Sequence, residues 1–146
     1  MELTSALEEI GKVIRDHRSS LETEEAAKTT LVMPFLQALG YNVFNPSEVV
    51  PEFVADIGTK RGEKVDYAVC RGDDVMMLIE CKSARVDLKV ENASQLYRYF
   101  SASDAQIAVL TNGVVYQFYS DIEAPNRMDK APFFYLSHRR PCLTGY

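Results

Sequence analysis

Apolar residues recur along this chain with two different periods. In the first 40 residues they follow helical spacing. Leu7, Ile10, Val13 and Ile14 lie on one stripe that fades near Ser19, and Ser5-x-x-Glu8 reads as a capping box that opens this helix. Thr23 reads as the N-cap of a second helix with Glu24 and Glu25 in its first turn, its stripe passing through Ala27, Leu31, Phe35 and Leu39 to a stop at Gly40. Pro34 falls inside that stripe and should bend the helix. The pattern then changes to short β-rich blocks at 41–44, 49–57, 65–70 and 75–81, separated by Asn45-Pro46, by 58–62 and by 71–74. Helical spacing returns at 91–102 through Ala93, Leu96, Tyr99 and Phe100. Two last strands, 107–110 and 114–119, flank Asn112-Gly113, a dipeptide suited to a two-residue hairpin. The predicted order is α-α-β-β-β-β-α-β-β. The blocks 65–70 and 75–81 are apolar at nearly every position, which requires cover on both faces of the sheet and points to an α/β fold.

With 146 residues and 47% hydrophobic content, the chain is expected to form one domain around one core. We divide it into a leading helix (1–22), a core (23–123) and a tail (124–146). No stretch approaches the roughly 20 apolar residues that span a bilayer, and Glu2, Glu8 and Glu9 do not suit a signal peptide. The expectation is a cytoplasmic protein without membrane contact. Cys70, Cys81 and Cys142 are odd in number and widely spaced, which indicates neither a disulfide framework nor a zinc site. The net charge of −5 argues at first against a nucleic-acid partner. Its distribution modifies that view, because residues 1–59 carry a balance of −6, whereas 60–98 hold eight basic and seven acidic residues. A divalent cation on Asp66 and Glu80 would turn this middle segment positive, leaving Lys60, Arg61, Lys64, Lys82, Arg85, Lys89 and Arg98 for phosphates. A solvated mixed surface explains the same composition.

The sharpest chemical signal is Ile79-Glu80-Cys81-Lys82 at the end of an apolar strand. Period-two geometry points Glu80 and Lys82 one way and Cys81 into the opposite layer. Charges at the mouth of a buried strand are costly unless they are paired or bound to a metal. The hairpin joined at 71–74 brings Asp66 towards Glu80, so the two carboxylates and the carbonyl of Cys81 make an adequate protein share of an octahedral Mg2+ site, with Mn2+ as an alternative. Lys82 would orient the attacking water and stabilise charge at phosphorus. The competing account is an exposed strand end with a weak ion pair, and for Asp66 a strand-edge charge that deters aggregation.

The element order and the D…E-x-K spacing resemble the PD-(D/E)XK nuclease superfamily, and more narrowly the N-terminal endonuclease domain of type I restriction enzyme R subunits. The stretches that carry the resemblance are TEEAAK, PFLQALGY, GEKVDYAV, LIECK, ASQLYRYF and VLTNGVVYQFYSD, between about residues 23 and 123. The resemblance implies a restriction-endonuclease-like core, a central mixed sheet flanked by helices. It implies metal binding by Asp66 and Glu80 and a catalytic role for Lys82. It places a leading acid at Glu24, with Glu25 as competitor, gives Gln95 the task of holding the active-site lysine or a substrate phosphate, and sets Tyr99, one helical turn on, towards the nucleic acid; a tyrosine packed in the core and a glutamine on the helix surface are the competing account. DNA is the implied substrate, with other restriction-modification subunits as further partners.

The run after Asp129 departs from the family's pattern, and no G-x-x-x-x-G-K-[ST] loop of an ATP-driven motor occurs. His17 and His138 are expected on solvated surface, and His138-Arg139-Arg140 in a disordered terminus. The expectation is a Mg2+-dependent endodeoxyribonuclease of a restriction or defence system. The alternative is a non-catalytic module on the same fold that binds DNA or a partner subunit.

Overall fold

The computed structural model describes residues 2–54 and 64–138. Helix α1 (Leu3–His17) buries Ile10, Gly11 and Ile14 and continues into a 3₁₀ turn at Arg18–Ser20. It begins earlier than the sequence predicts. Glu2 is the N-cap and makes no side-chain cap bond, so Ser5 lies inside the helix and the expected Ser5/Glu8 box does not open it. The second helix starts where expected, with the Thr23 hydroxyl accepting from the Ala26 N–H at 3.0 Å. It runs as α2 (Glu24–Ala27), a π-helical turn (Lys28–Val32) and α3 (Met33–Ala38), with Pro34 in the first turn of α3. Proline has no N–H to donate and its ring crowds the preceding turn, so the chain widens just before it. The widened turn buries Lys28 together with Leu31 and Val32.

Residues 41–44 are a turn rather than the expected strand. The Asn42 side-chain oxygen accepts from the Phe44 N–H at 3.1 Å, and that of Asn45 from the Ser47 N–H at 3.0 Å. Such local bonds outcompete a ladder at an asparagine-rich corner.

One mixed sheet follows, with β1 (Val49–Val54), β2 (Lys64–Arg71), β3 (Asp74–Cys81), β4 (Ile107–Thr111), β5 (Val115–Tyr119) and β6 (Phe134–Ser137) in sequential order. Only β3 and β4 run parallel. Their crossover contains a 3₁₀ turn (Val90–Ala93) and α4 (Ser94–Ser101), the helix expected at 91–102. The predicted continuation of β1 to residue 57 lies outside the described residues.

The β4–β5 connection holds three residues rather than two, because Asn112 Oδ1 accepts from the N–H groups of both Val114 and Val115. Gly113 has φ +84°, and a Cβ there would lie 2.7 Å from Leu31 Cδ1. Glycine thus lets this turn seat on the π-helical segment. Strand β6 falls in the segment assigned to the tail, for which no strand was expected. It pairs with β5 in the register Phe118↔Phe134, and these two rings meet edge to face at 5.5 Å.

Side chains of the central strands alternate between two cores. Met77, Ile79 and Cys81 of β3 pack with Ile10, Leu31 and Phe35 from the N-terminal helices, whereas Leu78 packs with Leu96, Tyr99 and Phe100 of α4. Each such fully buried side chain contributes about 1.5–3 kcal/mol by leaving water, so both faces of β3 are firmly held. Among the described residues no helix is long and apolar enough to cross a membrane.

Candidate active site

Strands β2 and β3 pair with Tyr67 opposite Ile79 and Ala68 opposite Leu78, so one further step sets Asp66 beside Glu80. The Asp66 carboxylate is fixed to the strand end, where Oδ2 accepts from the Cys81 N–H at 2.7 Å. Its neighbour Glu80 is 6% exposed. Both Glu80 and Asp66 are carboxyls, and the hydrogen bond between them requires a shared proton. Burial, the Asp66 charge and that hydrogen bond push the Glu80 pKa up to about 8, with a smaller rise from Glu24, while Lys82 opposes the shift. In the protein alone, burial and the neighbouring carboxylate thus raise the proton affinity of Glu80. Its other oxygen, Oε2, is buried without a hydrogen-bond partner. A buried oxygen left without a partner is costly, and a hard cation satisfies both it and the crowded pair.

Two lysines approach these carboxylates. Lys28, which the sequence reading did not include in the site, extends from the π-helical turn to Asp66 Oδ1 at 3.0 Å and Glu25 Oε1 at 2.7 Å. Its ammonium also lies 5.8 Å from the Tyr67 ring centroid. Burial by itself would lower the Lys28 pKa, but the bonds to Glu25 and Asp66 outweigh it and hold the group charged. One signal in the sequence marked it, a lysine next to Ala27 and three residues before Leu31 on an otherwise apolar stripe. Lys82 follows β3 directly. Its N–H donates to the Thr111 carbonyl at 2.8 Å, and its half-buried side chain bears electrostatically on Glu80.

The competing acids of α2 take separate places. Glu24, exposed in the first turn, adds negative charge at Glu80 and Cys81, whereas Glu25 is bound to Lys28. The Gln95 amide donates to the Lys64 carbonyl at 3.2 Å and to the Tyr99 hydroxyl at 3.3 Å. It thus holds the start of β2, two residues before Asp66. Tyr99 is 0% exposed in the α4 core and has no surface to offer a nucleic acid, which corrects the expected contact there.

Of the other expected phosphate contacts, Lys64 lies 3.6 Å from Glu52, Arg85 lies 3.0 Å from Glu22, and Arg98 is half-buried on α4. Lys60 and Arg61 fall outside the described residues, as do Cys142, Arg139 and Arg140. His138 is not a solvated tail residue. Its ring stands edge-on to Phe35 and Tyr116 at 5.9 and 5.7 Å. Among the described residues no three His, Cys, Asp or Glu side chains form a ready cage. The available donors are the carboxyls of Asp66 and Glu80 and the backbone carbonyl of Cys81.

Fold and site together describe an α/β protein whose central strand ends in a buried carboxylate pair flanked by lysines. The family of the type I restriction enzyme R protein N terminus (HSDR_N) matches residues 23–132, and the chain belongs to that family. The matched segment runs from the N-cap of α2 to just before β6 and contains Glu24, Asp66, Glu80, Lys82 and Gln95. No curated protein and no solved structure matches the chain.

Proposed function

We propose that this chain is a metal-dependent DNA endonuclease of a restriction or defence system, built on a PD-(D/E)XK-type core and acting in the cytoplasm with other restriction-modification subunits. The observation that carries this reading is the contact of Asp66 with Glu80 at the end of β3, with Glu80 Oε2 buried and unpartnered. Family membership supports the restriction setting.

Asp66, Glu80 and the Cys81 carbonyl would hold Mg2+, or Mn2+ in its place. When bound, such an ion polarises a phosphoryl oxygen and lowers the pKa of a bound water. Glu80 must release its proton to become a ligand. Lys28 pairs with Asp66 Oδ1 and orients it, and the Cys81 N–H fixes the second carboxylate oxygen. Lys82 orients the water and stabilises negative charge at phosphorus. Gln95 steadies the entry of β2. The water oxygen bonds to phosphorus and gives up one proton to solvent as the bond to the leaving deoxyribose oxygen breaks, and solvent supplies the proton to that oxygen.

Plasmid nicking with Mg2+ or Mn2+ tests the reading. Wild type is expected to nick, and Asp66→Asn and Glu80→Gln are expected to lose at least about a thousandfold of rate while keeping their folded circular dichroism. Absence of nicking by wild type with either metal rejects the enzyme. A second reading, a module that binds DNA or a partner subunit without cutting, is supported by Lys28, which already neutralises Asp66 within the protein.

A further inference from the structure

We infer that the cleft between α1 and the segment following β3 binds the phosphodiester backbone of the DNA strand that leads away from the carboxylate pair. This rests on the endonuclease reading and adds to it a binding surface that the family match does not supply. The cleft has a volume of about 610 Å³ and is lined by Ile14, Arg15, Arg18, Ser19, Arg85 and His138. Three guanidinium groups thus share one cavity in a chain of net charge −5. Like charges repel, so such a cluster is kept only where other bonds hold it.

Arg18 is held by such a bond, and two further bonds fix the segment after β3 that carries Arg85. Arg18 Nε donates to the Ala84 carbonyl at 2.9 Å, the Ser83 hydroxyl donates to the Glu22 carbonyl at 2.9 Å, and the Arg85 N–H donates to Ser83 Oγ at 3.3 Å. The segment they fix begins immediately after Lys82. This segment joins the floor of the cleft to the strand that carries Glu80. Guanidinium forks match phosphate oxygens in pairs, and His138, kept towards its neutral form by burial, supplies wall rather than charge. The pair of Arg85 with Glu22 is no obstacle. Its side chains are 56% and 67% exposed, and a solvent-screened pair of this kind exchanges readily for a stronger anion. Arg15 and Arg18 precede the family-matched segment, so this surface belongs to the leading helix of the chain itself.

The test is fluorescence anisotropy of a labelled DNA duplex with the full chain in chelator, across a salt series, alongside nicking in Mg2+ and Mn2+. Arg15→Glu and Arg85→Glu each reverse one charge in the cleft. Arg71→Glu makes the same change at the exposed β2–β3 turn, away from it. The expected result is binding at least about fivefold weaker for Arg15→Glu and for Arg85→Glu near 100 mM salt, with a log–log salt slope shallower by about 1, and less than about a twofold change for Arg71→Glu. Equal effects from all three variants, or none from the cleft pair when both are folded, overturn the inference. Wild type that cuts DNA while the cleft variants bind and cut equally well removes the cleft and leaves the enzyme. Cleft-dependent binding without cutting removes the enzyme and leaves the cleft. Wild type that binds no DNA at any salt removes both.

Discussion

Lys28 and Lys82 are the same residue type beside the same carboxylates, and their surroundings give them opposite tasks. Lys28 comes from the helical layer, is buried, and holds two acids at 2.7 and 3.0 Å. Lys82 comes from the strand end, is half-buried, and acts on Glu80 through its charge. A lysine locked by two short bonds fixes a carboxylate but has little freedom to follow a reaction. A lysine bearing on the pair through space retains that freedom. The difference teaches that the charge balance of this site is divided between a cation bonded to two acids and one that acts through space, to which the proposed function gives the reactive role.

The largest effect expected from breaking this comparison is at Lys28. Lys28→Met leaves Asp66 and its shielded charge without compensation, a change that costs about 3 kcal/mol for a mostly buried pair and lowers Tm by roughly 8–10 °C. Thermal denaturation checks this, and Lys28→Met combined with Asp66→Asn should recover most of the loss. Lys82→Met should do the reverse. Tm is expected to stay within about 2 °C while kcat for DNA nicking falls by about 10²–10³, read in single-turnover assays. Equal Tm losses for the two lysine variants would contradict the division of labour.

The last expected effect concerns pH. Glu80 has its folded pKa raised from 4.5 to about 8, so the folded state binds the proton more tightly than the unfolded chain. The associated stability is complete below about pH 4.5 and is lost as pH rises through about 8. Lys28 stays charged throughout this range and does not contribute to the slope. In chelator, Tm of wild type should therefore fall more steeply between pH 5 and pH 8.5 than that of Glu80→Gln.

Most helices and central strands were legible because their causes are local. Thr23 caps its helix through a bond three residues away, Gly40 ends the rod with φ +101°, and Gly72 turns the β2–β3 hairpin with φ +59°. Where local reading failed, a different interaction prevailed. Asn42 and Asn45 closed a turn over the expected first strand, and β6 formed because β5 offered an edge to 134–137, a segment read as tail. The resemblance set Tyr99 towards DNA beside Gln95, whereas it fills the α4 core, as the competing account had it.

Sequence alone determined the acid–acid–lysine spacing of Asp66, Glu80 and Lys82 and the strand that presents them, since alternation and hairpin geometry are properties of neighbouring residues. Only the tertiary structure decided that burial and Asp66 raise the proton affinity of Glu80, that Lys28 rather than Lys82 is bonded to Asp66, and that Arg15, Arg18 and Arg85 line one cleft. Proton affinity and ion pairing depend on burial and on charges a few ångströms away in space. Those neighbours come from segments far apart along the chain, and only folding brings them together.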